Sequence, residues 1–188
     1  MELVEQLRGR QEAIARRWLE DTLATYAAET ARRLDRDQDR FTNPVGYALR
    51  TGTQAVVAGL LEGRTAEVLS GCLDEIIRIR AVQEFAPSQA VGFVFRLREV
   101  IRAEVQGDST LRPLASGLGE LEERIERLGL LAFDLYMKYR QRIFELRVNE
   151  MKRSVAKVIE RMNRFRPGAE GGGLEDPGTD GPSERGSG

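Results

Sequence analysis

Apolar residues recur every three or four positions through most of this chain of 188 residues, which is the period of an amphipathic α-helix. This spacing predicts a first helix over residues 2–30, and the charged stretch at 32–40 is expected to end it. The chain has no run of alternating apolar and polar residues, bounded by turn residues, of the kind that indicates a β-strand. The pattern therefore predicts an all-α fold with about five main helices.

The second helix has clear boundary signals in the sequence. Asn43 precedes Pro44, and an asparagine at the N-cap can accept a hydrogen bond from a backbone N–H. Proline suits the first helical position because its φ is preset and it has no N–H to satisfy. A helix is therefore predicted from Pro44 to about Leu61, and Gly63 is expected to close it.

Two further helices follow from the same kinds of signal. Apolar residues at helical spacing predict a third helix that ends near Arg80. Pro87 is expected to open a fourth helix, because proline is favoured in a first helical turn. That helix should continue through Val105 and break at the pair Gly107 and Asp108.

The last helical stretch is the most informative part of the pattern. Residues 118–165 contain no proline, so one long helix that begins near 110–118 is predicted over them. Its final third carries a four-three spacing of apolar residues, a seam that only another helix can bury. The seam consists of Phe144, Val148, Met151, Val155, Val158, Met162 and Phe165. We expect a helical domain over 1–143, a coiled-coil extension over 144–166 and a homodimer, unless the seam packs back on its own domain.

An acidic residue interrupts the apolar block that precedes this seam. Residues 128–137 are apolar almost all round and should be enclosed on every side, by their own domain or with a second chain. An unpaired buried carboxylate is costly, so Asp134 should be exposed in a groove, protonated, or paired with Arg78 or Arg80, near Gln83. Both arginines also have a simpler explanation as cations at a helix C-terminus. Of these alternatives we predict the largely buried pair with one of the two arginines; if no arginine meets Asp134, it becomes a candidate partner-binding residue.

Charge and composition narrow the class of partner. Basic and acidic residues nearly balance, at 29 and 30, and scattered arginines among carboxylates argue against a nucleic-acid surface. No apolar run reaches the roughly 20 residues that cross a bilayer, and the N-terminus lacks the features of a signal peptide. We expect a cytoplasmic protein without membrane insertion. Residues 167–188 are acidic and rich in glycine and proline, so this tail is predicted to be disordered.

The residues that usually carry catalysis are scarce. The chain has no histidine, which removes the commonest haem and zinc ligand and the side chain best suited to proton transfer near neutral pH. A single cysteine cannot build an iron–sulfur or structural zinc site. No glycine-rich phosphate-binding loop precedes a helix. We therefore predict a protein that is not an enzyme and that holds no metal or other cofactor.

Two segments carry a resemblance to a known family. They run Ile76-Ile-Arg-Ile-Arg-Ala-Val-Gln-Glu-Phe-Ala-Pro-Ser-Gln-Ala-Val-Gly-Phe-Val-Phe95 and Leu130-Leu-Ala-Phe-Asp-Leu-Tyr-Met-Lys-Tyr-Arg-Gln-Arg-Ile-Phe-Glu-Leu-Arg-Val-Asn-Glu150, with Trp18 and Asn43-Pro44 ahead of them. Over roughly residues 7–161 this pattern resembles the N-terminal domain of RsbR/RsbRD-type regulators, the RsbT co-antagonists of bacterial stressosomes.

The resemblance implies a globin-like helical domain that binds no haem, dimerises and passes signals along its terminal helix. RsbR-type proteins continue into a STAS output domain, whereas this sequence continues into the acidic tail, so a stand-alone member without that domain is expected. No active-site residues carry over. The implied function is a non-enzymatic sensory or adaptor module that acts through protein–protein contacts in stress signalling. Similar stand-alone relatives suggest an alternative, an accessory subunit or regulator of a redox or respiratory complex in anaerobic sulfur metabolism.

Overall fold

The computed structural model describes residues 2–37 and 39–164, and all regular structure in this part of the chain is helical. Seven α-helices and one short 3₁₀ helix follow in order: α1 (Glu2–Arg8), α2 (Gln11–Leu23), α3 (Ala28–Arg36), α4 (Pro44–Leu61), α5 (Ala66–Val82), α6 (Pro87–Gly107), the 3₁₀ helix (Arg112–Gly117) and α7 (Leu118–Arg164). The predicted all-α fold is confirmed. None of the helices described is both long and apolar enough to cross a membrane.

Contacts divide the chain into two compact units, residues 1–145 and residues 146–188. In the first unit α2 packs against α4 and α6, and α4 also packs against α5. Trp18 of α2 stacks on Phe93 of α6 with ring centroids 5.8 Å apart, and its Nε1 donates to Phe93 O at 2.7 Å. One face of α7 completes this core with Leu121, Ile125, Leu128, Ala132 and Tyr136. The described part of the second unit is the remainder of α7.

The predicted start and end of α4 are confirmed. Asn43 Oδ1 accepts from Gly46 N at 3.0 Å, and Pro44 is the first helical residue. The Asn43 amide also donates to Leu34 O at 2.7 Å, which ties the end of α3 to the start of α4. A Cβ on Gly46 would lie 2.3 Å from Leu34 O, so only glycine permits this close approach. Gly63 follows α4 with a φ of +85°, the left-handed conformation that commonly ends a helix.

Four more predicted boundaries are confirmed. The third helix, α5, ends at Val82, and the fourth, α6, begins at Pro87 and ends at Gly107. The long last helix begins at Leu118 and continues without interruption to Arg164. The predicted seam residue Phe165 and the predicted tail over 167–188 lie outside the described residues.

The single helix predicted over residues 2–30 is wrong, because the chain forms α1, α2 and α3 there. The first break lies at Gly9 and Arg10. Glycine loses the most backbone freedom in a helix, and Arg10 leaves the helical conformation while its side chain pairs with Glu104 at 2.9 Å and with Asp108. A contact to residues almost one hundred positions away in sequence is invisible to a local pattern.

The second break follows from threonine side chains near the end of α2. Thr25 Oγ1 donates to Thr22 O at 2.6 Å and so occupies a carbonyl that a continuing helix would use. The charged stretch expected to end the first helix instead forms much of α3, since arginine, glutamate, alanine and leucine are good helix formers. Leu34 is the residue of α3 that is buried in the core.

Within the described chain, residues 128–137 are enclosed on one face only, so their enclosure on every side with a second chain stays a prediction. Leu128 and Ala132 are fully buried, but Leu130, Phe133 and Met137 keep 66%, 41% and 47% of their surface exposed. Only one face of α7 packs against the other helices of the first unit. The opposite face presents apolar side chains that nothing in the described chain covers.

Candidate functional site

Arg80, near the end of α5, is a fully buried cation in the core. Its Nη1 donates to Gln89 O at 2.9 Å, and its Nη2 donates to Thr25 Oγ1 at 2.9 Å and to Thr22 O at 3.4 Å. Its Nε finds no hydrogen-bond partner in the described chain. The guanidinium therefore joins the end of α2 and the start of α6 to the end of α5 through uncharged acceptors.

Three aromatic rings surround this guanidinium. Its central carbon lies 4.5 Å from the ring centroid of Phe93, 5.0 Å from that of Phe85 and 5.3 Å from that of Tyr26, distances at which ring faces attract a cation. Burial lowers the pKa of Arg80, because the charged form loses its water. Burial also raises the pKa of the Tyr26 hydroxyl, and the charge of Arg80 offsets part of that rise. We call Arg80, Thr25, Tyr26, Phe85 and Phe93 the Arg80 cluster.

The turn between α5 and α6 connects the Arg80 cluster to α7. Tyr136 Oη donates to Phe85 O at 2.6 Å, and Arg140 Nη1 donates to Ala81 O at 3.1 Å. Both side chains belong to α7. Arg140 binds a carbonyl in the last turn of α5, and Tyr136 binds a carbonyl within the turn itself. A change in the position of this part of α7 would therefore disturb the turn that holds Phe85 against the buried cation.

The predicted buried pair between Asp134 and an arginine is wrong. Asp134 is exposed. The residues of α7 that face the core nearest to it are Ala132 and Tyr136, two positions before and after Asp134. Arg78 is also exposed and lies 3.4 Å from Glu75 Oε1, while Arg80 binds uncharged groups. Gln83 caps the C-terminus of α5. The structure therefore does not gather these four predicted site residues around one ion pair, and Asp134 stays a candidate partner-binding residue.

Five of the six predicted seam residues that the structure describes expose their side chains along α7. In the second unit Met151, Val155, Val158 and Met162 are between 53% and 68% exposed, and Val148 is partly buried. Phe144 belongs to the first unit and is 67% exposed. Their pairing with a second chain stays a prediction.

Other polar groups of the first unit are mostly committed to structural contacts. Tyr139 Oη lies 2.7 Å from both carboxylate oxygens of Asp74, and burial together with this bond raises the pKa of Tyr139.

An open groove of about 780 Å³ beside α2 and α4 is lined by Arg10 and Arg50 among others. Arg10 is already paired with two carboxylates there. The described residues contain no group of three or more cysteine, aspartate or glutamate side chains that could hold a metal ion.

The burial of Arg80 was a feature that sequence reasoning missed, although the pattern contained a signal. Leu69, Leu73, Ile76 and Ile77 form the buried stripe of α5. Arg80 follows Ile76 by four positions and Ile77 by three, so it lies on that same stripe. Periodicity alone would have placed this arginine in the core, against the usual preference of arginine for the surface.

The fold and these sites define an all-α domain with the Arg80 cluster in its core and an exposed apolar face on its last helix. The family model described as RsbT co-antagonist protein rsbRD N-terminal domain matches residues 12–151. The chain belongs to this family, which confirms the resemblance found in the sequence. Comparisons with curated proteins and with solved structures find no significant match.

Proposed function

We propose that this protein is a non-enzymatic sensory or adaptor module that dimerises through α7 and acts by binding other proteins. Membership of the RsbRD family supports a regulatory, stressosome-like role, since the family description names a co-antagonist of another protein. A ligand or partner that prefers one arrangement of two paired α7 helices would shift the population of arrangements, and the helix would carry that change.

The observation that carries this proposal is the row of exposed apolar side chains on α7. Met151, Val155, Val158 and Met162 follow one another at spacings of four, three and four and are all more than half exposed. Burial from full exposure contributes about 1.5–3 kcal/mol per such side chain, and burial of the exposed part here would contribute somewhat more than half of that. A helix with this repeat is typical of a coiled coil, in which a second helix covers the row.

Affinity capture from native lysate tests the proposal with a matched pair of variants. Val155→Asp places a charge in the seam, whereas Ala156→Asp places the same charge on the adjacent exposed residue outside it. We expect the wild type and Ala156→Asp to retain the same specific protein partner and Val155→Asp to lose it. Regulatory proteins among the captured partners would support the stressosome-like role, and subunits of a membrane redox complex would support the alternative role. Equal capture by all three proteins would contradict the role of the seam.

A further inference from the structure

The guanidinium of Arg80 is fully buried, and its described hydrogen-bond acceptors are uncharged oxygens. Its Nε–H is also buried and has no hydrogen-bond partner in the described part of the chain. Desolvation of a cation is costly, and a buried donor without an acceptor adds to that cost. Both costs would fall if an anion reached the guanidinium.

A second nitrogen of Arg80 can be released for such an anion. The bond from Nη2 to Thr22 O is 3.4 Å long, whereas the other two bonds are 2.9 Å long. Thr22 O also accepts from Thr25 Oγ1 at 2.6 Å and from Thr25 N at 3.2 Å, so it stays paired when Nη2 leaves. Adjacent nitrogens of a guanidinium can bind both oxygens of one carboxylate.

The outer side of the Arg80 cluster consists of two aromatic rings. Phe93 is fully buried, whereas Phe85 and Tyr26 are only partly buried. The rings of Phe85 and Tyr26 meet edge to face with centroids 5.2 Å apart. Displacement of the Phe85 ring would therefore open a path from solvent to the guanidinium.

The turn that carries Phe85 combines a strained backbone with a side-chain bond from α7. Phe85 N donates to Arg80 O at 3.3 Å, and Glu84 between α5 and Phe85 has a φ of +61°. This left-handed conformation costs energy for any residue with a Cβ. Tyr136 Oη donates to Phe85 O at 2.6 Å and so holds the turn in place. The strain favours release of the turn, and the tyrosine bond opposes it.

We propose that Arg80 anchors a binding site for a small apolar monocarboxylate, which takes the place of the Phe85 ring when the turn between α5 and α6 opens. The carboxylate supplies the counter-charge, and the apolar body packs against Phe93 and Tyr26. A phosphate carries more charge than one guanidinium neutralises, and the remainder would be desolvated among aromatic rings. This site goes beyond the proposed dimer and does not depend on it.

Titration with benzoate tests the site, because benzoate joins a carboxylate to a ring like that of Phe85. Trp18 fluorescence should report binding, since Trp18 stacks on Phe93. The NMR resonance of the Arg80 Nε–H should shift as this donor gains an acceptor. Benzamide has nearly the same shape without the charge, and we expect it to bind at least about tenfold more weakly than benzoate.

Three variants separate the roles of the anchor and of the turn. Arg80→Met should weaken benzoate binding by at least about tenfold. Arg78→Met changes an exposed arginine of the same helix and should bind benzoate as the wild type does. Tyr136→Phe keeps the ring but removes the bond to Phe85 O, so the open population should rise and the affinity should increase about fivefold.

Each contrary result overturns a stated part of the proposal. No saturable binding of benzoate at tens of millimolar, equal binding of benzamide, or an unshifted Arg80 Nε–H resonance would refute the site. Binding of inorganic phosphate at Arg80 without binding of benzoate would refute the ligand class. An unchanged affinity of Tyr136→Phe would refute the opening of the turn. If Arg80→Met fails to fold, the Arg80 resonance and Tyr136→Phe decide. A monomeric wild type that binds benzoate through Arg80 would support the site and contradict the proposed dimer.

Discussion

Replacement of Arg80 by methionine measures what a buried cation contributes to this fold. Methionine keeps much of the side-chain length without the charge, whereas Arg80→Ala removes both. Arg80 makes two hydrogen bonds of 2.9 Å and one of 3.4 Å. A hydrogen bond to a charged group contributes about 1.5–3 kcal/mol, and cation–π contacts add about 2 kcal/mol when desolvated.

The cost of burial opposes these contributions. Taking an ion out of water costs several kcal/mol. The described hydrogen-bond acceptors of Arg80 are uncharged oxygens rather than carboxylates. Two of the acceptors, Thr22 O and Thr25 Oγ1, are not left unpaired by the change, since Thr25 Oγ1 donates to Thr22 O. We therefore expect Arg80→Met to change the free energy of unfolding by about 1 kcal/mol or less. Arg80→Ala should cost about 3–5 kcal/mol, because it leaves a cavity among Phe85, Phe93 and their neighbours.

Urea unfolding can be followed by the fluorescence of Trp18, the single tryptophan of the chain, which is fully buried beside Phe93. The exposed Arg78 provides a control, and Arg78→Met should leave the unfolding midpoint unchanged within error. If Arg80→Met destabilises the protein as much as Arg80→Ala does, polar contacts outweigh desolvation and the reasoning is refuted.

Three further outcomes follow from the structure and the sequence. Thr110 N and Oγ1 donate to Asp108 at 2.7 and 2.6 Å, and these bonds, assisted by Arg10, lower the pKa of Asp108 to about 2. The resulting stability is present above the unfolded carboxyl pKa of about 3.8 and is lost as pH falls through about 2, so Thr110→Ala should raise the midpoint of acid unfolding measured by circular dichroism. Deletion of residues 167–188 should leave the melting temperature unchanged, and a drop of more than a few degrees would show that the tail docks. The purified protein should show no visible absorption band, whereas a band with stoichiometric iron would overturn the expectation of no cofactor.

Local signals explain which parts of the fold could be predicted. Asn43 with Pro44 and the glycine at Gly63 act through the backbone of their own neighbours, so their sequence alone fixes where α4 begins and ends. Pro87 defines the start of α6 for the same reason. These boundaries depend on hydrogen bonds and dihedral angles within a few residues. The residues that determine them are therefore close together in the sequence.

Contacts distant in sequence explain the rest. The break at Arg10 depends on Glu104 and Asp108, which reach it only after the helices have packed. An apolar block such as residues 128–137 shows that α7 needs burial but not which face its own unit covers. For that reason the sequence indicated Asp134 as an unusual residue while assigning it to the wrong side of the helix.

Sedimentation equilibrium of the wild type, Val155→Asp and Ala156→Asp tests dimerisation through α7 most directly. Val155 is an exposed seam residue, and a charge buried between two paired helices should cost several kcal/mol per dimer. We predict a dimer at tens of micromolar for the wild type and for Ala156→Asp, and a monomer of unchanged helicity for Val155→Asp. A monomeric wild type, or a Val155→Asp protein that dimerises as tightly as the wild type, would contradict the proposed role of α7.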